Sequence, residues 1–219
     1  MEIYYLGHSS FKIKGKSVSL ITDPYDFAQI PGLGMKFPKA EAEIVTVSHD
    51  HADHNAADLV KEEPFVISGP GEYEVKGVTV FGIISSHNRE ESKVKAENTI
   101  YLIEMDGLRI CHLGDLGEML NDEKLEEING VDILMIPVGG YYTIDPAQAV
   151  ELIGKIEPSI VLPMHYKIKK MGQDFSQLAT LDDFLKEIEA TDLPVSPKLI
   201  ISKDKIPEER QIVLLETKA

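Results

Sequence analysis

The segment His49-Asp50-His51-Ala52-Asp53-His54 constrains this chain more than any other. Four side chains able to bind a metal, His49, His51, Asp53 and His54, fall within one turn-sized stretch. The preceding Ile44-Val45-Thr46-Val47 is β-branched and apolar and reads as a buried strand. Residues 55–62 read as a short helix. The cluster therefore sits on a strand-to-helix loop, where α/β proteins tend to place chemistry. An ordinary polar loop is the alternative, but so many ligand types rarely crowd together without a metal.

A short loop sends alternate residues toward one point, so His49 and His51 can share an ion. Asp53 and His54 follow half a turn later and can face a second point nearby. Imidazole nitrogen with carboxylate oxygen suits Zn²⁺, and also Mn²⁺ or Fe²⁺. Two ions about 3.5–4 Å apart would make a two-metal hydrolytic site. One loop cannot fill both coordination shells, so further ligands must come from elsewhere. His87, Asp115 and His165 each stand just after an apolar, strand-like run, at residues 78–84, 108–113 and 160–164. Ligands gathered at strand ends are the expected anatomy of an α/β site. A single histidine after a strand is more often structural; here the set argues jointly.

The ordered pattern His49-x-His51-x-Asp53-His54, His87, Gly114-Asp115 and Pro163-Met164-His165-Tyr166 resembles the metallo-β-lactamase-fold hydrolases. The likeness runs from Met1 to about Lys170. Leu6-Gly7-His8-Ser9-Ser10-Phe11, Ile21-Thr22-Asp23-Pro24, Ile136-Pro137-Val138-Gly139-Gly140 and Asp145-Pro146 are similar to the compact branch containing the L-ascorbate-6-phosphate lactonases and their Zn-dependent relatives. The resemblance implies His49, His51 and His87 on one metal and Asp53, His54 and His165 on the other. It implies Asp115 bridging, with Asp53 and Asp115 as the catalytic carboxylates. Asp23 would orient a ligand histidine through its free ring N–H; an Asx-type turn with Pro24 is the other reading. His8 and His112 are expected behind the ligands, His112 as a satisfied strand histidine.

The chain is 219 residues long, and one domain over 1–219 is the default at that length. Its 43% hydrophobic content is enough for a real core. The formal net charge of −15 disfavours nucleic acid and anionic membrane surfaces as partners, which leaves a small-molecule substrate. Cys111, the one cysteine, cannot form an intrachain disulfide and reads as a small buried hydrophobe. The opening Met1-Glu2-Ile3-Tyr4-Tyr5 carries no secretory signature, and no run approaches the ~20 apolar residues of a membrane span. A reducing, cytoplasmic setting is expected. The missing signal also argues against antibiotic hydrolysis.

Strands are expected at residues 3–6, 11–13, 18–22, 44–47, 65–67, 78–85, 99–105, 108–113, 131–136 and 212–215. Asp106-Gly107 is a two-residue hairpin signal. Helices are expected at 122–128, at 146–156 behind an Asp145 cap and Pro146, and after Thr180. β-runs, a ligand loop and a helix occur twice in succession. That suits an α/β (α+β) arrangement of two packed sheets with helices outside, and the resemblance implies a four-layer αββα sandwich. Residues 24–42 mix helix-breaking proline and glycine with Tyr25, Phe27, Ile30, Leu33, Met35 and Phe37. They suit either an apolar flap beside the site or packing over the sandwich.

The expected chemistry is attack by a metal-bridging hydroxide on a small ester, lactone or phosphoester, since a bound metal lowers the pKa of its water to about 7. Residual positive charge at the site favours an anionic substrate. His8, Tyr141, Tyr142 and Tyr166 are candidates for protonating the leaving group, Tyr141 and Tyr166 for touching substrate. Arg89, two residues from His87, is a candidate anion contact, with a solvated loop as the alternative. Two other classes compete: a mononuclear iron dioxygenase, which would keep the same motif, and a non-catalytic metal-binding module. Histidine at position 51 disfavours the di-iron oxygen reductases of this fold, which carry an acidic residue there.

Overall fold

The computed structural model describes residues 1–87 and 96–219. Its strands form where apolar and β-branched residues run together, and turn chemistry sets their limits. In chain order they are β1 (Glu2–Gly7), β2 (Ser10–Lys14), β3 (Ser19–Thr22), β4 (Ile44–Val47), β5 (Phe65–Ser68), β6 (Gly71–Val75), β7 (Val78–Ser86), β8 (Glu97–Met105) and β9 (Leu108–His112). Then follow helix α1 (Asp122–Glu127), β10 (Ile133–Pro137), α2 (Pro146–Ile156), β11 (Ile160–Met164) and α3 (Leu181–Glu187). Four two-residue strands close the chain: β12 (Val195–Ser196), β13 (Leu199–Ile200), β14 (Gln211–Ile212) and β15 (Leu214–Leu215).

Two large mixed sheets and a separate two-stranded β12-β15 pair result. One large sheet runs β13-β1-β2-β3-β4-β5 and the other β14-β11-β10-β9-β8-β7-β6. In the first, β3, β4 and β5 are parallel; in the second, β9, β10, β11 and β14 are. Alternation along each strand decides which face goes where. Ile3, Phe11, Ile13, Leu20, Ile44 and Ile67 of the first sheet meet Val80, Tyr101, Ile103, Ile133, Met135 and Leu162 of the second in one buried cluster. Leu134 and Ile136 point the other way, beneath Leu152 and Ile153 of α2 and Phe184 of α3. Strand β10 is therefore buried on both faces, as parallel central strands are.

The two long helices begin where their caps predict. Asp145 accepts from the Gln148 backbone N–H and Thr180 from that of Asp183, each completed by a reciprocal bond in a capping box. The hairpin at Asp106-Gly107 has both residues at positive φ, 54° and 79°, as a type I′ turn requires. Lys76-Gly77 makes the same turn at 52° and 80° and creates β6, which sequence patterning misses because lysine is not a typical residue there.

One expectation needs correction, and one open choice is decided. The helix expected over residues 55–62 is only a single 3₁₀ turn, Ala57–Leu59. Glu62 and Glu63 take left-handed backbone (φ 74° and 48°), and Pro64 disfavours helix in the residue before it. Residues 24–42 are not a flap. Tyr25, Leu33, Met35 and Phe37 are buried against Leu6, Ile21, Val45 and Val47 on the outer face of the first sheet, with Phe175 and Leu178. All three α-helices lie on the second sheet, so this irregular segment supplies the other outer layer of the αββα sandwich. Among the described residues, no helix is long and apolar enough to cross a membrane.

A structural layer and a mobile flap respond differently to truncation. Leu33→Ala is expected to lower unfolding free energy by about 2–5 kcal/mol, because Leu33 has no exposed surface. Urea denaturation checks this; a loss below about 0.5 kcal/mol would return residues 24–42 to the flap reading.

Candidate metal centre

The strand topology delivers the site. Strands β1, β3 and β4 end at one edge of the first sheet, and β7, β9 and β11 end at one edge of the second. His8 follows β1, Asp23 follows β3 and the 49–54 loop follows β4. His87 follows β7, Asp115 lies three residues past β9, and His165 follows β11. The side chains fall into three overlapping groups whose candidate ligand atoms lie within 4.8 Å of one another: His8, Asp53, His54 and His165; His49, His51 and His87; and His49, His54 and Asp115. Six of the chain's seven histidines thus converge.

Behind them, Asp23 fixes the ring orientations of His54 and, through Ser48, of His49. It has left-handed backbone (φ 38°) and no exposed surface. Its Oδ1 accepts from the Ser48 backbone N–H at 2.8 Å, and its Oδ2 from Ser48 Oγ at 2.6 Å. The same Oδ2 lies 2.8 Å from His54 Nδ1. A carboxylate here can only accept, so Ser48 spends its hydroxyl proton on Asp23, and its oxygen accepts from His49 Nδ1 at 3.0 Å. Both His49 and His54 therefore carry the proton on Nδ1 and turn Nε2 inward. Burial pushes the Asp23 carboxyl up, but His112, His54 and Ser48 outweigh it and leave it below its ordinary value.

His87 turns its Nδ1 to the Asp115 carbonyl at 3.1 Å. His49 Nε2 and His51 Nδ1 stand 3.0 Å apart. His165 Nε2 is 3.2 Å from Asp115 Oδ2, and His54 Nε2 is 3.3 Å from Asp115 Oδ1. The last two atoms approach without hydrogen-bond geometry, and both are buried and unpartnered. Burial depresses His49 to about 3 and His8 to about 4. For His54 the sign reverses: burial lowers it, but the charges of Asp115 and Asp53 overcome that and raise it well above the ordinary range. Burial likewise raises Asp115, yet His165 and His54 draw it well below normal. The carboxylates of Asp53 and Asp115 attract positive charge to this point, and imidazole with carboxylate donors match a divalent cation.

The other predicted residues divide. His112 Nε2 donates to the Ser9 carbonyl at 2.8 Å and Nδ1 accepts from Gly114 N–H at 3.2 Å, so both nitrogens are used within the fold. Tyr166 packs against the inter-sheet cluster, its ring 6.3 Å from that of Tyr5. Tyr141 is exposed at positive φ (60°), 4.7 Å from the Tyr142 ring. Burial raises the Tyr142 hydroxyl, with Asp53 among the nearby charges that add to it. Arg89 lies outside the described residues.

Two supporting residues escape sequence reasoning: Ser48 and Asn98. Asn98 Oδ1 accepts from Asp115 N–H at 2.9 Å, while its Nδ2 donates to Ser85 Oγ and the Leu113 carbonyl. An asparagine inside an apolar strand is a disfavoured choice that signals such a role. Gly114 lets this clasp close: it has φ 56°, and a Cβ there would sit 2.3 Å from Asn98 Oδ1. Asn98→Ala should leave buried Asp115 N–H without a partner and lower unfolding free energy of the metal-free protein by about 1–3 kcal/mol in urea denaturation. An unchanged midpoint would mean that the Asp115 turn is held by other contacts.

Comparison with known proteins agrees with this geometry. The profile described as "Beta-lactamase superfamily domain" matches residues 2–165. A UPF0173 metal-dependent hydrolase from Thermoplasma volcanium is 32% identical over 193 residues, covering 76% of this chain and 83% of that protein. One from Thermococcus onnurineus is 29% identical, covering 76% and 84%. A crystal structure from Thermotoga maritima, named as a candidate Zn-dependent hydrolase of the metallo-β-lactamase superfamily, is 34% identical, covers 99% of both chains and superposes with a TM-score of 0.79. With three quarters of its length matched and its ligand-type residues at the strand ends, this chain belongs to the β-lactamase superfamily, among the UPF0173 metal-dependent hydrolases.

Proposed function

We propose that the chain holds two divalent cations, zinc in the first place with manganese or iron as alternatives, and hydrolyses a small anionic ester, lactone or phosphoester. One observation carries the reading: ring nitrogens and carboxylate oxygens from five chain segments meet where strand ends of the two sheets come together, with His54 Nε2 and Asp115 Oδ1 buried and unpartnered among them. His49, His51 and His87 would hold one cation, and Asp53, His54 and His165 the other. Asp115 is within reach of His49 and His54 and would serve both. The zinc dependence ascribed to the Thermotoga maritima relative supports the choice of metal.

Bound ions of this kind polarise a carbonyl or phosphoryl oxygen and lower the pKa of water to about 7. The chain's own residues prepare that chemistry. Asp23 and Ser48 keep Nε2 of His49 and His54 free as lone-pair donors. Asn98 fixes the backbone from which Asp115 projects. With only Asp53 and Asp115 as carboxylates against two dications, the site keeps positive charge and favours an anion, even on an acidic chain. That chain-wide charge argues against nucleic acid as the substrate. Tyr141 and Tyr142 offer an exposed pair of aromatic rings as a candidate substrate surface.

The test is metal quantification on protein purified without added metal, then lactones, phosphodiesters and thioesters on the same sample. Two equivalents of zinc or manganese with turnover of one of these classes supports the reading. One equivalent of iron without hydrolysis would replace it with the mononuclear dioxygenase.

His54→Ala and Asp115→Asn are expected to lose turnover and metal while circular dichroism stays native. Outer partners of metal ligands alone cost about 10–100-fold in affinity, so losing a ligand should cost more. Full activity of Asp115→Asn would remove the two-metal reading.

Chelation should also lower the melting temperature, because the cations would join five separated segments. Occupancy at about 100 times Kd stabilises by ~2.7 kcal/mol, or about 5–10 °C for a chain of this size. An unchanged melting temperature after verified metal removal would contradict this.

A further inference from the structure

The two groups of candidate ligands are built differently. In one, His8, His54 and His165 are at most 1% exposed, and the group includes the carboxylate of Asp53. The other consists of three imidazoles, His49, His51 and His87, of which His51 is exposed. Asp115 would serve both cations, so the difference is the additional carboxylate of Asp53: a cation is drawn more strongly to the group with the greater negative charge, and buried charges are screened less by salt.

The groups also differ in how firmly their side chains are held. His8 sits on the turn after β1, where the pairing with β2 shifts register between Tyr5 and Gly7. It takes left-handed backbone (φ 54°), uncommon for any residue with a side chain and held here by its surroundings. The His8 carbonyl accepts from Tyr5 Oη at 2.8 Å and from the His165 backbone N–H at 3.0 Å. The His8 ring stands 4.2 Å from the His165 ring, and its Nε2 is 3.2 Å from Asp53 Oδ2. The carboxylate accepts, so His8 donates and aims Asp53 at the group that also holds His54 and His165. His51 has no comparable tether: its one polar side-chain contact among the described residues is the His49 ring. Closing around an ion would cost His51 rotamer freedom that the inner side chains have already lost on folding.

We propose that the two positions are unequal: the inner one, formed by Asp53, His54 and His165 with His8 positioning Asp53, binds its cation first and more tightly, and the outer one, formed by His49, His51 and His87, is the exchangeable position. This rests on the two-cation reading above. It makes the chain a protein with one resident cation and a second whose occupancy follows the free concentration of the metal.

The experiment is a zinc titration of the full chain against a chromophoric chelator, which reads binding without activity. Two resolved steps are expected. His51→Ala should weaken or remove the second step and leave the first. His8→Ala should raise Kd for the first step by ~10–100-fold, the range for partners behind a metal ligand, and leave the second. His8→Gln keeps a side-chain N–H donor and should restore much of the first step. A merely structural role for His8 would lower the melting temperature of the metal-free protein without a selective effect on one step. Should His8→Ala fail to fold, His51→Ala and His8→Gln still decide the ranking. Two indistinguishable wild-type steps, or loss of the first step in His51→Ala, would overturn the inequality and leave the two-cation reading standing. Wild type that takes up no zinc would overturn both.

Discussion

The buried carboxylate of Asp23 is the fixed point of this molecule. It lies at the end of β3, yet it takes hydrogen bonds from the Ser48 backbone, the Ser48 hydroxyl and the His54 ring. Through Ser48 it also sets the proton position on His49. One charged group thus governs one ring in each candidate metal position. An uncompensated carboxylate in this setting would be costly, and its three donors are what make it tolerable. They also make it rigid. A change at Asp23 would reach both positions, because the side chain that orients the His54 ring also takes part, through Ser48, in orienting that of His49.

Fold and site depend on each other through the strand ends. The sheets would pack as they do with many residues at the ends of β1, β3, β4, β7, β9 and β11. Placing His8, Asp23, His49, His87, Asp115 and His165 there creates a dense polar cluster that the hydrophobic core cannot absorb. The β-rich, long-range topology provides the compensation by backing the cluster with hydrogen bonds from opposite sheets. Thr99 N–H, on β8 of the second sheet, donates to the Ser48 carbonyl on the loop after β4 of the first. Tyr101 Oη donates to the Val47 carbonyl in the same way. These bonds lock the ligand loop to both halves of the sandwich.

Much of this was legible in the residues, for identifiable reasons. Strand β4 and the 49–54 loop are a clear β-branched run followed by ligand types at alternating positions. Asp145-Pro146 and Thr180 announce helices because capping chemistry is local. What depends on distant contacts was hidden. Ser48 and Asn98 are unremarkable polar residues until the sheets bring Asp23 and Asp115 to them. Strand β6 depends on a Lys76-Gly77 turn whose first residue gives no signal. Residues 55–62 carry a helix-like composition, but Pro64 and two left-handed glutamates end the helix before it can extend. The apolar residues of 24–42 showed that something would be buried, without showing that the first sheet's outer face was what they cover.

That irregular outer layer has one more consequence. It is joined to the ligand loop by two backbone bonds, Asp26 N–H to the Ala52 carbonyl and Ala56 N–H to the Pro24 carbonyl. A helix in this place would have to keep its periodicity, so a single inserted residue would rotate every side chain beyond it by about 100°. A segment without periodicity can gain or lose residues between its anchors and still cover the sheet. Diversification of this scaffold therefore has an inexpensive route: lengths and compositions can drift along the cover, next to the ligand loop, while the candidate metal ligands stay where the strands put them.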